Sequence, residues 1–123
     1  MQIKNVLIVE DSPTDSKALS DMLSKNGFGV MAVGSAEEAL AQVRQTKPDL
    51  VLMDVVLPGQ NGFQATRTLS RDDATKDVPV IICSSKGQAT DKVWGMRQGA
   101  RNYLVKPVKQ TELLAMIAAI GHG

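Results

Sequence analysis

Short apolar runs alternate with segments of helical periodicity along the chain. Val6-Leu7-Ile8-Val9 is apolar at every position, as a central strand covered on both faces must be. Ser12-Pro13 then offers an N-cap followed by proline at the first helical position, and Ala18, Leu19, Met22 and Leu23 recur at three-to-four spacing until Asn26-Gly27 stops the helix. The same grammar repeats. A strand is predicted from Phe28 to Val33, and Ser35 with Glu38 forms a capping box for a helix through Ala39, Leu40 and Val43 that Lys47-Pro48 ends. Leu50-Val51-Leu52-Met53 is the third strand, and Asp54 stands at its C-terminal end. Pro58, Gly59 and Gly62 mark a loop before a helix carrying Phe63, Thr66 and Leu69, and the polar stretch 71–77 is a return loop. Val80 to Cys83 is the fourth strand, followed by Ser84-Ser85-Lys86-Gly87 and a helix over 90–98 that closes at Gly99 and whose inward stripe is read as Val93, Met96 and Ala100. Tyr103 to Val105 is the fifth strand, and Lys106-Pro107 breaks it before a last helix with Leu113, Leu114, Ile117 and Ala118 as its apolar stripe. Five such units predict an α/β fold, a five-stranded parallel sheet with right-handed crossovers and helices on both faces.

Composition narrows the function classes. A chain of 123 residues is read as one domain, 1–123, large enough for a core without disulfide or metal staples. Its apolar runs are too short to cross a bilayer and nothing marks it for export, so no membrane insertion is expected and the expected compartment is the cytoplasm. One cysteine and one histidine exclude a disulfide framework, a Cys-based zinc site and multi-histidine metal chemistry. A net charge of +1 carries no polyelectrolyte signature, so no nucleic-acid partner is expected.

The chemistry is expected where strands end. In an open parallel sheet, ligands bind at the carboxyl ends of the strands, and those ends carry Glu10 and Asp11, Asp54, Ser84 and Lys106. Three crowded carboxylates repel one another unless a cation lies between them, and all-oxygen ligation suits Mg²⁺. With a divalent cation and one ammonium, the three acids leave no net charge, a site poised to receive an anion. An aspartate beside Mg²⁺ and a lysine can attack a phosphoryl group while the cations neutralise the transferring oxygens and a hydroxyl binds one of them. Asp54 is the expected nucleophile, because it follows its strand alone, whereas Glu10-Asp11 form a paired ledge suited to a metal.

Val9-Glu10-Asp11-Ser12, Leu52-Met53-Asp54 with Leu57-Pro58 and Gly62, the Pro79-to-Ser84 strand and Tyr103-Leu104-Val105-Lys106-Pro107 together resemble the receiver domain of two-component response regulators, over essentially the whole chain. The resemblance implies a flavodoxin-like strand order of 2-1-3-4-5. It implies that Asp54 accepts phosphate from the phosphohistidine of a histidine kinase. Glu10, Asp11, Asp54 and the backbone carbonyl of Val56 would then hold Mg²⁺, and Lys106 would bind a phosphoryl oxygen. Ser84 would move toward the phosphate and let Tyr103 swing inward, coupling the site to the face of the fourth helix, fifth strand and fifth helix, where a downstream protein target binds. By the same resemblance Lys106-Pro107 is expected to be cis, and no enzymatic activity is expected beyond the domain's own phosphorylation and dephosphorylation. Three positions depart from the commoner pattern: Glu10 stands where aspartate is usual and is expected to reach the metal through water, Ser84 replaces threonine, and Ser85 replaces a small apolar residue. Val56 and Lys86 occupy positions that tune the lifetime of the acyl phosphate in this family.

The sequence as given carries no output domain after Lys106, so a stand-alone receiver is expected. The stretch from Asp91 to Arg101 resembles single-domain regulators of twitching-motility chemosensory systems, the PilH and PilG type. Trp94 lies about 100° from Val93 on the helix and is expected at least partly exposed, with Lys92 and Arg97 as further partner-face candidates. Lys86, Lys92, Arg97, Arg101, Lys106 and Lys109 stand against Asp91 alone in this region, which would make the output face positive. Cys83 is read as packing and His122 as part of a frayed tail. A flavin-binding redox protein is disfavoured, since the anionic Glu10-Asp11 turn would repel a flavin phosphate, and an aspartate-dependent phosphohydrolase is the other enzyme-class alternative. A phosphate sink or a phosphorylation-independent adaptor shares every one of these features and remains the alternative function.

Overall fold

A computed structural model describes residues 2–122, the side chain of His122 excepted. The strands are β1 (Asn5–Val9), β2 (Gly29–Val33), β3 (Leu50–Met53), β4 (Val80–Ser84) and β5 (Asn102–Val105). The helices are α1 (Pro13–Lys25), α2 (Ala36–Thr46), α3 (Gly62–Arg71), α4 (Ala89–Arg97) and α5 (Gln110–His122). All strands pair in parallel in the order β2-β1-β3-β4-β5, as a flavodoxin-like fold requires. β1 and β3 adjoin, so the order reverses between them and a cleft opens at their carboxyl ends.

The pleat sorts the apolar residues into two layers. Val6, Ile8, Leu50, Leu52, Ile81, Cys83 and Leu104 pack on one side of the sheet with Leu19 and Leu23 of α1 and Leu113 and Ile117 of α5. Leu7, Val9, Val51, Met53 and Val80 pack on the other side with Ala36, Ala39 and Val43 of α2 and Ala65 and Leu69 of α3. β3 and β4 are buried at every residue, which explains why they read as unbroken apolar runs, whereas β2 is a half-exposed edge. Each fully buried leucine or isoleucine in these layers contributes about 1.5–3 kcal/mol.

Helix starts follow their side-chain chemistry. Ser12 caps α1 by accepting from the Asp15 backbone N–H at 3.3 Å, with Pro13 at the first position. Ser35 caps α2 by accepting from the Glu38 N–H, but the Glu38 carboxylate accepts from the backbone of Gly34 rather than of Ser35. Asn61 and Gln64 form a reciprocal capping box at α3. α2 ends at Lys47 with a positive φ of 40°, just before Pro48.

Four expectations need correction, three of them small. β2 begins at Gly29 rather than Phe28, and Phe28 packs partly buried under the α1–α5 layer. In α5, Ala118 is exposed; Leu113 and Ile117 form the buried stripe, flanked by the partly buried Met116 and Ile120. The helix runs on through His122, where a tail was expected, and the His122 side chain lies outside the described residues.

The largest correction is α4. Val93 and Met96 were expected to face inward, yet both are about half exposed, and the buried residue of the helix is Gly95. A Cβ on Gly95 would lie 2.9 Å from Ile82 Cδ1 and 3.0 Å from Tyr103 Cδ2. The helix therefore sits against the sheet through a glycine, and that close seat turns its larger apolar side chains to the outside. Gly99, at φ +107°, ends this segment, and Ala100 after it is buried as expected.

Candidate functional site

The sheet ladder fixes the strand-end residues before any side chain is considered. Glu10 N donates to Val33 O and Asp54 N to Val9 O, both at 3.0 Å, and Lys106 N donates to Ser84 O at 2.9 Å. Three neighbouring strand pairs thus hold the backbones of Glu10, Asp54 and Lys106 on one rim. One carboxylate oxygen each of Glu10, Asp11 and Asp54 falls within 4.8 Å of the others. Glu10 and Asp54 are buried and Asp11 is exposed, so the cluster opens to solvent on the Asp11 side.

Asp54 is held tightly. Its Oδ1 accepts from the Val55 N–H at 2.8 Å, and its Oδ2 lies 3.4 Å from Lys106 Nζ. Gly62, at the start of α3, donates its N–H to Val55 O at 2.9 Å, and a Cβ there would collide with the Asp54 carbonyl group and lie 2.9 Å from Val55 Cα. Only glycine lets α3 begin this close to the aspartate. Farther along the loop, Gln60 N–H donates to Glu37 Oε1 of α2 at 3.1 Å, and Gly59 takes a φ of +72° beside the same carboxylate. Val56, between these anchors, exposes its side chain.

Lys106 joins three acids. Its ammonium bonds to Glu10 Oε1, to Asp15 Oδ2 at 2.9 Å and more distantly to Asp54. The partners are pulled in different senses. At Glu10, burial dominates and raises the carboxyl pKa, against hydrogen bonds from Lys106 and the Ser12 N–H; the Asp54 charge adds to the rise. At Lys106, burial opposes the charge, but hydrogen bonds to Glu10 and Asp15 and the field of Asp54 outweigh it and hold the ammonium above its ordinary range. Facing three carboxylates, Lys106 is charged at any physiological pH. The peptide that follows it, Lys106-Pro107, is cis.

Asp15 was not among the residues singled out from the sequence. An acid in the first turn of a helix ordinarily answers the helix dipole, and nothing local signals its contact with a lysine 91 residues later. The only usable clue is that it lies one turn past Asp11 on the same rim. Its presence also corrects the charge count: four carboxylates, not three, surround Lys106 and the cluster.

Ser84 is wholly buried and its Oγ accepts from the Lys86 N–H at 3.2 Å. Tyr103 was expected to move inward on activation; here it is already inward, 7% exposed, with its hydroxyl donating to Lys86 O at 2.6 Å. Burial raises its pKa. Trp94 is 49% exposed, as expected, and together with Ala89, Thr90, Val93 and Arg97 it lines a shallow apolar depression on α4. Lys86, Lys92, Arg97, Arg101 and Lys109 are all exposed, whereas Lys106 turns away from that face into the acidic cluster. Cys83 is buried with its thiol pushed up to about 12 by burial, which leaves it a packing residue.

The response regulator receiver domain model matches residues 6–118. The chain belongs to that family. It is 54% identical to protein PilH of Pseudomonas aeruginosa over 115 residues, 94% of this chain and 95% of the other. A putative response regulator from Chloroflexus aurantiacus superposes with a TM-score of 0.94 at 31% identity, over 99% of this chain and all of that one. The receiver domain of the sensor histidine kinase PA1611 from Pseudomonas aeruginosa, solved with magnesium in its active-site cleft, superposes with a TM-score of 0.90 at 27% identity, over 98% of this chain and 99% of that one. Receiver domains are signalling domains that take phosphate from histidine kinases and bind downstream targets. Among the described residues of this receiver, no helix is long and apolar enough to cross a membrane.

The donor set fits a hard divalent cation. Three carboxylate oxygens converge without a nitrogen or sulfur ligand, two of the acids are buried, and the side facing solvent leaves room for retained water, the ligation Mg²⁺ prefers.

Proposed function

We propose that residues 1–123 act as one cytoplasmic receiver unit that accepts a phosphoryl group on Asp54 from a histidine kinase and changes its affinity for a downstream protein. The observation that carries this reading is the convergence of Glu10, Asp11 and Asp54 within 4.8 Å, with Lys106 set 3.4 Å from the Asp54 carboxylate. A carboxylate oxygen of Asp54 is the nucleophile, with Oδ1 held by the Val55 N–H and Oδ2 facing Lys106. It attacks phosphorus, the P–N bond of the phosphohistidine breaks, and its electron pair stays on the departing imidazole. Glu10, Asp11, Asp54 and the Val56 carbonyl would hold Mg²⁺, which supplies positive charge to the transferring phosphoryl oxygens. Lys106 neutralises a further oxygen, and the Ser84 hydroxyl donates to another once it leaves the Lys86 N–H.

The output side follows from Ser84 and Tyr103, both of which hydrogen-bond Lys86. Trp94, Lys92 and Arg97 on α4 form the partner surface, and the biological setting is type IV pilus twitching motility. Supporting that setting are the 91–101 stretch, which resembles twitching regulators, and the identity to PilH. The test is mass spectrometry after incubation with Mg²⁺ and acetyl phosphate. One phosphoryl group mapped to Asp54 and lost in Asp54→Asn is the expected result; an unmodified protein, or modification elsewhere, overturns the proposal.

A second reading, an adaptor that binds without phosphorylation, is favoured by the inward Tyr103, a position held here by Lys86 O with no phosphate required. Equal partner affinity for phosphorylated protein and Asp54→Asn would establish it over the first.

A further inference from the structure

We propose that Asp15 is a positioning residue that parks Lys106 away from Asp54 and thereby slows phosphoryl transfer onto it; this rests on the phosphoacceptor reading above. An ammonium has three N–H donors, and Lys106 points them at Glu10, Asp15 and Asp54. The contacts are unequal. Asp15 Oδ2 is 2.9 Å from Nζ and Asp54 Oδ2 is 3.4 Å away, with Glu10 Oε1 nearer than either, so Glu10 and Asp15 together hold the ammonium off Asp54, and Asp15 draws it toward α1. Asp15 is itself anchored, because its backbone N–H is held by the Ser12 cap of α1.

Asp15 differs from the other two acids in exposure. Its side chain is 46% exposed, whereas those of Glu10 and Asp54 are 2% and 9% exposed. It is therefore the partner that can be removed without leaving a buried charge unpaired. Its negative charge also matters for the donor. With Asp15 counted, the acids outnumber one ammonium and one divalent cation by a single charge, and an anionic phosphodonor meets a cleft that repels it. Neutralising Asp15 removes that excess and frees one lysine donor for the incoming phosphoryl oxygen. Both effects act in the same direction.

The experiment compares wild type, Asp15→Asn, Asp15→Glu and Asp21→Asn, the last a control that removes an equal charge from an exposed position on the same helix. Autophosphorylation by acetyl phosphate at saturating Mg²⁺ is expected to rise on the order of threefold to tenfold in second-order rate constant for Asp15→Asn. Asp15→Glu is expected to return it to near the wild-type value, and Asp21→Asn to leave it unchanged. A second readout uses unphosphorylated, metal-free protein: the ¹⁵N resonance of the Lys106 ammonium is expected to be protected from exchange in wild type, to shift and lose protection in Asp15→Asn and to recover in Asp15→Glu. An unmoved Lys106 resonance, or a rate in Asp15→Asn equal to or below wild type, overturns the inference. Failure of wild type to be phosphorylated on Asp54 instead overturns the phosphoacceptor reading, and the resonance experiment reports on Asp15 independently of it.

Discussion

Gly95→Ala tests whether α4 is seated by the absence of a side chain. The new methyl would lie 2.9 Å from Ile82 Cδ1 and 3.0 and 3.2 Å from Cδ2 and Cε2 of Tyr103, closer than carbon atoms pack. Two opposing terms follow. Alanine stabilises a helix interior by about 1 kcal/mol over glycine, and overpacking a filled site costs about 1–3 kcal/mol. The substitution is therefore expected to be neutral to about 2 kcal/mol destabilising. The decisive quantity is the coupling to Tyr103. In a Tyr103→Val background the ring atoms are gone and the tip of Ile82 can turn into the vacated space, so only the propensity gain remains and Gly95→Ala becomes stabilising by about 1 kcal/mol. Urea denaturation of wild type, both single variants and the double variant gives the cycle. An interaction energy of roughly 1–3 kcal/mol is expected, and Tyr103→Phe, which keeps the ring, is expected to restore additivity with wild-type behaviour. Additive effects within about 0.5 kcal/mol for the valine pair would refute the glycine seat.

Gly62→Ala drives a methyl into the backbone of Asp54 and Val55, neither of which can rotate aside, and is expected to cost about 3 kcal/mol and to abolish labelling of Asp54; a variant as stable as wild type by urea denaturation would contradict the close approach. Glu10 has a raised pKa in the metal-free fold, so its contribution to stability is full below pH 4.5 and is lost as pH rises through the raised value. Mg²⁺ binds the ionised form, and at tenfold over its Kd it is expected to add about 1.4 kcal/mol at pH 7.5 and almost nothing at pH 4, read as a Tm shift; equal shifts at both pH values would argue against carboxylate ligation. Cys83, buried with its thiol near 12, is expected to react with a thiol reagent only as fast as the protein opens, and rapid labelling of native protein would contradict the packing role.

What the sequence made legible depended on how each residue earns its place. β1, β3 and β4 were readable because burial on both faces demands apolar residues at every position, and no other element of this length makes that demand. Glu10, Asp54 and Lys106 were readable as a group because strand ends converge by topology alone, and the ladder bonds place them as that rule requires. α4 was not, because periodicity assumes that the larger apolar side chain goes inside, whereas Gly95 wins the inner position by fitting where Val93 and Met96 cannot. Asp15 was hidden for a different reason: its partner lies across the sheet, and first-turn acids have a sufficient local explanation.

The exposed side of α4 and the end of β4 are joined by a short series of contacts. Ser84 Oγ holds the Lys86 N–H, Lys86 O holds the Tyr103 hydroxyl, and the Tyr103 ring fills the space that Gly95 leaves open. α4 buries only Gly95 within its length, so little apolar area opposes its displacement, and the work needed to shift it is small compared with that for α1 or α2. If Ser84 moves on phosphorylation, as proposed above, the change acts on the least anchored helix of the fold, which is also the one that presents Val93, Trp94 and Met96 outward. On the switch proposed above, the glycine that upsets the periodicity lets one hydrogen bond at the end of β4 bear on the surface a partner would touch.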